Sequence, residues 1–137
     1  MINIFIDTSA FYARLDHNDK NHGAAIRFFD TIKTNGLYVP VITNYIFNET
    51  ITLVRYKLGI AQSIEFGKSL LESKAFTTIF VTKDSEEKAW EIFSKYTDKD
   101  FSFTDCTSFA IMQEHGITNA FTFDKHFAQF GFEILPK

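Results

Sequence analysis

The chain has 137 residues, 45% of them apolar and 17% aromatic, which suits one packed domain and excludes a disordered chain. Its 14 Lys and Arg against 17 Asp and Glu leave a formal net charge of -3. That balance excludes a nucleic-acid binder driven by overall basic charge, though not one with a local basic patch. The one cysteine, Cys106, excludes an internal disulfide and a Cys/His zinc site built around it.

No charged-then-apolar leader is present, and no apolar run approaches the ~18 residues needed to span a bilayer. The expectation is a soluble cytoplasmic domain without repeats or linkers. Ile4, Phe5 and Ile6 form a nearly continuous apolar run, read as a buried strand that stops at Asp7. Such a carboxylate sits where open α/β sheets place their ligands. A short helix from Ser9 to Leu15 and a polar break, Asp16 to Gly23, follow. Ala24 to Thr34 is the next helix, with Ile26, Phe29 and Ile32 on one stripe and Asn35-Gly36 as its stop.

Leu37 to Ile42 reads as a second strand, where Pro40 suits an edge or end position. Thr43 or Asn44 can cap the helix that runs to Leu58. Glu49 lies three residues after Ile46 and four before Leu53, on their face of that helix. A carboxylate on an apolar stripe needs a cation, a hydrogen-bond cradle or a raised pKa. Arg55 and Lys57 lie six and eight residues on, outside the favourable helical spacing.

Ile60 to Ser73 is a helix with Ile64, Phe66 and Leu70 apolar, and Thr77 to Val81 is a third strand. Asp84 or Ser85 caps a helix carrying Ala89, Trp90 and Phe93. A polar connection holding Asp98 and Asp100 reads as a solvated loop. Thr104 to His115 is a helix with Asp105 in its first turn, followed by Phe109 and Met112 at four and seven residues. Asn119 to Phe123 is a fourth strand ending in Asp124, His126 to Phe130 a short helix, and Phe132 to Leu135 a last strand. Alternating strands and helices predict a parallel α/β sheet with helices on both faces.

Asp7, Glu49, Asp105 and Asp124 are the candidate site. Individually, Asp7 and Asp124 also read as helix caps and Asp105 as a charge complementing a helix dipole. Gathered together, four acids repel one another unless a cation holds them. An all-oxygen set suits Mg²⁺ or Mn²⁺ rather than zinc, and such an ion activates water for phosphoryl chemistry. Thr8, Ser9 and Thr104 place hydroxyls beside these acids, as orienting groups or as ordinary caps. Lys125 and His126 follow Asp124 and are candidate contacts to a substrate phosphate.

The pieces FIDTSAF, Asn48-Glu49, FSFTDCTSF and FTFDKHFAQFGF, in this order, resemble the PIN-domain ribonucleases of the small VapC-like toxin kind. Cys106 stands where relatives often carry alanine, a small change. The resemblance covers residues 1–137 as one nuclease domain. It implies a three-layer α/β/α sandwich with a central, mainly parallel five-stranded sheet whose first and fourth strands are neighbours. It also implies that Asp7, Glu49, Asp105 and Asp124 share one acidic pocket and cleave RNA with Mg²⁺ or Mn²⁺, leaving a 5′-phosphate and a 3′-hydroxyl. A homodimer and a cognate antitoxin partner are implied as well; an RNA-processing nuclease without a toxin role shares the same site.

Three other readings meet specific obstacles. A haloacid-dehalogenase-like phosphatase needs a second aspartate two residues after Asp7, where Ser9 stands. A receiver-like phospho-acceptor needs an aspartate after the third strand, which ends in Val81-Thr82-Lys83. A catalytically idle binding domain has no need of all four acids.

Overall fold

A computed structural model describes residues 1–137. Five strands form one sheet, β1 (Ile2–Ile6), β2 (Tyr38–Thr43), β3 (Thr77–Ile79), β4 (Asn119–Phe121) and β5 (Glu133–Leu135). The strand order is β3-β2-β1-β4-β5 and every pairing is parallel. Seven helices, α1 (Thr8–Leu15), α2 (His22–Asn35), α3 (Asn44–Leu58), α4 (Ile60–Glu72), α5 (Lys83–Lys95), α6 (Phe103–Glu114) and α7 (His126–Phe130), complete a three-layer α/β/α fold. No helix is long and apolar enough to cross a membrane.

β1 lies at the centre because its sequence tolerates burial on both faces: Ile4, Phe5 and Ile6 are each 0% exposed. The chain leaves β1 toward β2 on one side and later returns to β4 on the other, so the order reverses between β1 and β4. The crevice beyond the carboxyl ends at such a reversal is where open α/β sheets bind ligands. Pro40 belongs to β2, which is not an edge strand. However, β3 pairs only with Val41 to Thr43, so on that side Pro40 precedes the ladder and its missing N–H costs nothing.

Phenylalanines supply much of the core. The Phe109 ring meets Phe101, Phe127, Phe130 and Phe132, with the Phe130 ring stacked at 4.5 Å and 14°. Phe127 also packs on Phe5 of β1, which ties the short α7 to the sheet. Phe66, Leu70 and Phe47 pack toward this core, and Phe47 with Ile51 also lines an open groove between α3 and α4 with the exposed Ile64 and Leu71.

Several element details differ from the sequence reading. α2 begins at His22, and its inward stripe is Ala25, Phe29 and Ile32, leaving Ile26 exposed. Thr82, rather than Asp84 or Ser85, caps α5 by accepting from the Ser85 N–H at 3.3 Å. Ser102 caps α6 one residue earlier than the helix spacing suggested. Thr43 caps α3, which frees Asn44 Oδ1 to accept from the Val81 N–H at 2.8 Å. β4 stops at Phe121, so Asp124 lies in the turn before α7 and does not end a strand as Asp7 does.

Candidate active site

Asp7 is the N-cap of α1 and is only 5% exposed. Its Oδ2 accepts from Ser9 Oγ at 2.7 Å and from Thr122 Oγ1 at 2.9 Å, with the Ser9 N–H more distant at 3.4 Å. Burial pushes the carboxyl up to about 6 against the pull of these hydroxyls, and the charges of Asp105 and Glu49 add to the rise. The cap and the site are therefore one residue. Ser9 Oγ also accepts from the Phe123 N–H, and Thr122 Oγ1 from the Asp124 N–H, so the two hydroxyls join the end of β1 to the turn after β4.

Asp105 is buried in the first turn of α6 and closes a capping box there. Its N–H donates to Ser102 Oγ at 3.0 Å, and its Oδ2 accepts from the Ser102 N–H at 3.1 Å. Burial raises its carboxyl, Asp124 raises it further, and the Ser102 N–H and His126 oppose the rise. Glu49 sits on α3 beside the buried stripe of Ile46, Thr50 and Val54. It is raised by burial and by Asp105 and Asp124, with the Thr8 hydroxyl beside it opposing. Thr8 in turn accepts from Thr50 Oγ1 at 2.9 Å. Neither Arg55 nor Lys57 pairs with Glu49; both are exposed.

Asp124 Oδ1 accepts from the His126 N–H at 2.9 Å. The His126 ring turns inward: its Nδ1 is 2.9 Å from Asp105 Oδ2 and 3.2 Å from Asp124 Oδ1. One donor atom each of Asp105, Asp124 and His126 lies within 4.8 Å of the others, a set compact enough for an ion. Of the two residues read as phosphate contacts, His126 has its Nδ1 engaged with these acids and Lys125 is exposed. The Thr104 hydroxyl makes no hydrogen bond; only its carbonyl is engaged, by Thr107 Oγ1 at 2.7 Å. Asp98 and Asp100 are exposed, as expected of a loop.

Thr122 escaped the sequence reading because a threonine at a strand end looks like a β-former. Its position two residues before Asp124, mirroring Ser9 two residues after Asp7, was the available signal. Residues 4–133 of the chain match the PIN domain family model. The chain belongs to the PIN-domain family. Among its PIN-domain relatives is the 23S rRNA-specific endonuclease VapC20 of Mycobacterium tuberculosis, 35% identical over 135 residues, 98% of this chain and 99% of that protein. The crystal structure of VapC20, described as a sarcin-ricin loop cleaving toxin, has a TM-score of 0.86 at 34% identity, covering 94% of this chain and 95% of that one. A VapC ribonuclease of Archaeoglobus fulgidus is 29% identical over 110 residues, 80% of this chain and 69% of that protein. FitAcB from Neisseria gonorrhoeae shares the PIN fold at a TM-score of 0.71 and 15% identity, over 97% of this chain and 96% of that one.

Proposed function

We propose that this PIN-domain protein is a divalent-metal-dependent endoribonuclease, the toxin of a toxin–antitoxin pair, with Asp7, Glu49, Asp105 and Asp124 as catalytic residues. The observation that carries the reading is the burial of mutually repelling carboxylates at the strand-order reversal, where Asp7, Glu49 and Asp105 all have raised pKa values. A fold that only needed stability would gain by replacing them. The donor set also fits a hard cation. Asp7 Oδ1, Asp105 Oδ1 and Asp124 Oδ2 accept no hydrogen bond from the protein, while the opposite oxygen of each is held.

Asp7, Asp105 and Asp124 would hold Mg²⁺ or Mn²⁺, and Glu49 would complete the site. When bound, the ion lowers the pKa of a water and neutralises charge on the scissile phosphate. Glu49, half-buried with a raised carboxyl, is suited to orient that water and take up its proton. Attack of the water oxygen on phosphorus, with the P–O3′ bond breaking in line and the 3′ oxygen taking up a proton, would leave a 5′-phosphate and a 3′-hydroxyl. Lys125 offers an exposed cation beside Asp124 for the RNA backbone. The similarity to VapC20 along 98% of this chain supports ribosomal RNA as the first substrate to test. A homodimer acting in the cytoplasm, restrained by a cognate antitoxin helix in the apolar groove between α3 and α4, completes the reading.

The test is cleavage of purified ribosomal RNA by wild-type protein and Asp7→Asn, each with Mg²⁺, with Mn²⁺ and with a chelator. Discrete cuts that need the metal and vanish in Asp7→Asn support the assignment. Identical cutting by both proteins would refute it.

A further inference from the structure

We infer that His126 is a positioning residue, a clamp: its Nδ1–H holds Asp105 and its backbone N–H holds Asp124, so that the other oxygen of each acid is left for the cation. The inference rests on the metal-dependent reading above. The partner of Nδ1 is a carboxylate oxygen of Asp105, which accepts when ionised, so with that acid ionised this nitrogen carries the hydrogen. The ring N–H holds the acid in the first turn of α6 and lies 3.2 Å from the acid in the turn before α7. The backbone N–H of the same residue holds that second acid, donating to Asp124 Oδ1 at 2.9 Å.

The ring is itself held in place. Phe101 packs edge-on against it, with centroids 5.6 Å apart at 78°, and the next residue, Phe127, is fully buried against Phe5 and Phe109. The arrangement repeats the logic at Asp7, where Ser9 and Thr122 occupy Oδ2 and leave Oδ1 free. At Asp105 the held oxygen is Oδ2, and at Asp124 it is Oδ1. Groups that hold the outer oxygen of a metal-binding carboxylate fix its orientation and account for much of a site's affinity. To serve as a ligand through Nδ1, His126 would have to lose that hydrogen and release Asp105. The compact grouping of its nitrogen with the two acids is accounted for by the clamp.

The experiment uses the full chain as wild type, His126→Ala and His126→Asn, the last keeping an N–H donor near the place of Nδ1. The His126 ring nitrogens are followed by ¹H–¹⁵N correlation spectroscopy with and without Mg²⁺, and Mg²⁺ affinity is measured by calorimetry. The clamp predicts a hydrogen on Nδ1 in both states. It also predicts affinity lowered about 10- to 100-fold in His126→Ala, with most of the loss restored in His126→Asn. Loss of the Nδ1 hydrogen on adding Mg²⁺ would make His126 a ligand and overturn the clamp. Unchanged or tighter binding by His126→Ala would overturn it too, as would His126→Asn binding no better than His126→Ala. If His126→Ala fails to fold, wild type and His126→Asn decide the matter: equal affinity supports the clamp, and a 10-fold or greater loss in His126→Asn contradicts it. Wild-type protein that binds no Mg²⁺ would instead remove the metal-dependent reading itself.

Discussion

At Asp7 a single side chain caps a helix, accepts two hydroxyls and lies buried beside other acids. The cost of that combination can be measured. Its folded pKa of about 6 lies above the ordinary 3.8, so the group favours the folded state fully only below the ordinary value. That advantage disappears as the pH rises through 6, where burial opposes ionisation. Asp7→Asn should therefore stabilise metal-free protein by roughly 1–3 kcal/mol at pH 8, with the gain shrinking toward zero near pH 4. Urea unfolding of both proteins across that range checks the sign; a pH-independent difference contradicts it. Cys106 gives a second prediction at this scale. It is fully buried, and burial pushes its thiol up to about 11, so a thiol reagent at pH 8 should label it only after unfolding.

Among the elements, α6 carries both a cap and a catalytic candidate in the same turn. Ser102→Ala removes the acceptor for the Asp105 N–H and should cost about 1 kcal/mol. Thr82→Ala removes the equivalent cap of α5 at a similar cost. Only Ser102→Ala should also slow RNA cleavage, because only that cap touches an acid of the site. Equal activity in the two variants would separate capping from catalysis. Much of this level was legible in the sequence, since the apolar runs of β1 and β2 and the glycine after α3 mark their elements directly. The caps were harder to read: Thr82, Asp84 and Ser85 are all competent, and only the approach of the chain from β3 selects Thr82. Thr122 and the inward turn of His126 were illegible for a different reason. Thr122 depends on β4 lying beside β1, a contact between residues more than a hundred positions apart, and His126 on α7 meeting α6.

Across the whole molecule, the order β3-β2-β1-β4-β5 brings four distant acids to one edge, and the phenylalanine core keeps that edge in place. Phe109, surrounded by four other rings, should be the most costly core truncation, about 3–5 kcal/mol for Phe109→Ala by chemical denaturation. The order of the acids along the chain was visible in the sequence. Their convergence was implied by the family resemblance and not by spacing, because no local pattern records which strands are neighbours. With a net charge of -3, the protein has no overall basic charge to hold RNA and must rely on local cations, so binding should weaken as salt is added. The most direct measurement is single-turnover RNA cleavage by Asp7→Asn, Glu49→Gln, Asp105→Asn, Asp124→Asn and the Asp7→Asn/Asp105→Asn pair. If the four acids act as one unit, each single change costs at least ~100-fold, and the pair is hardly worse than either alone. A single variant that cuts at the wild-type rate, or losses that multiply in the pair, would contradict that account.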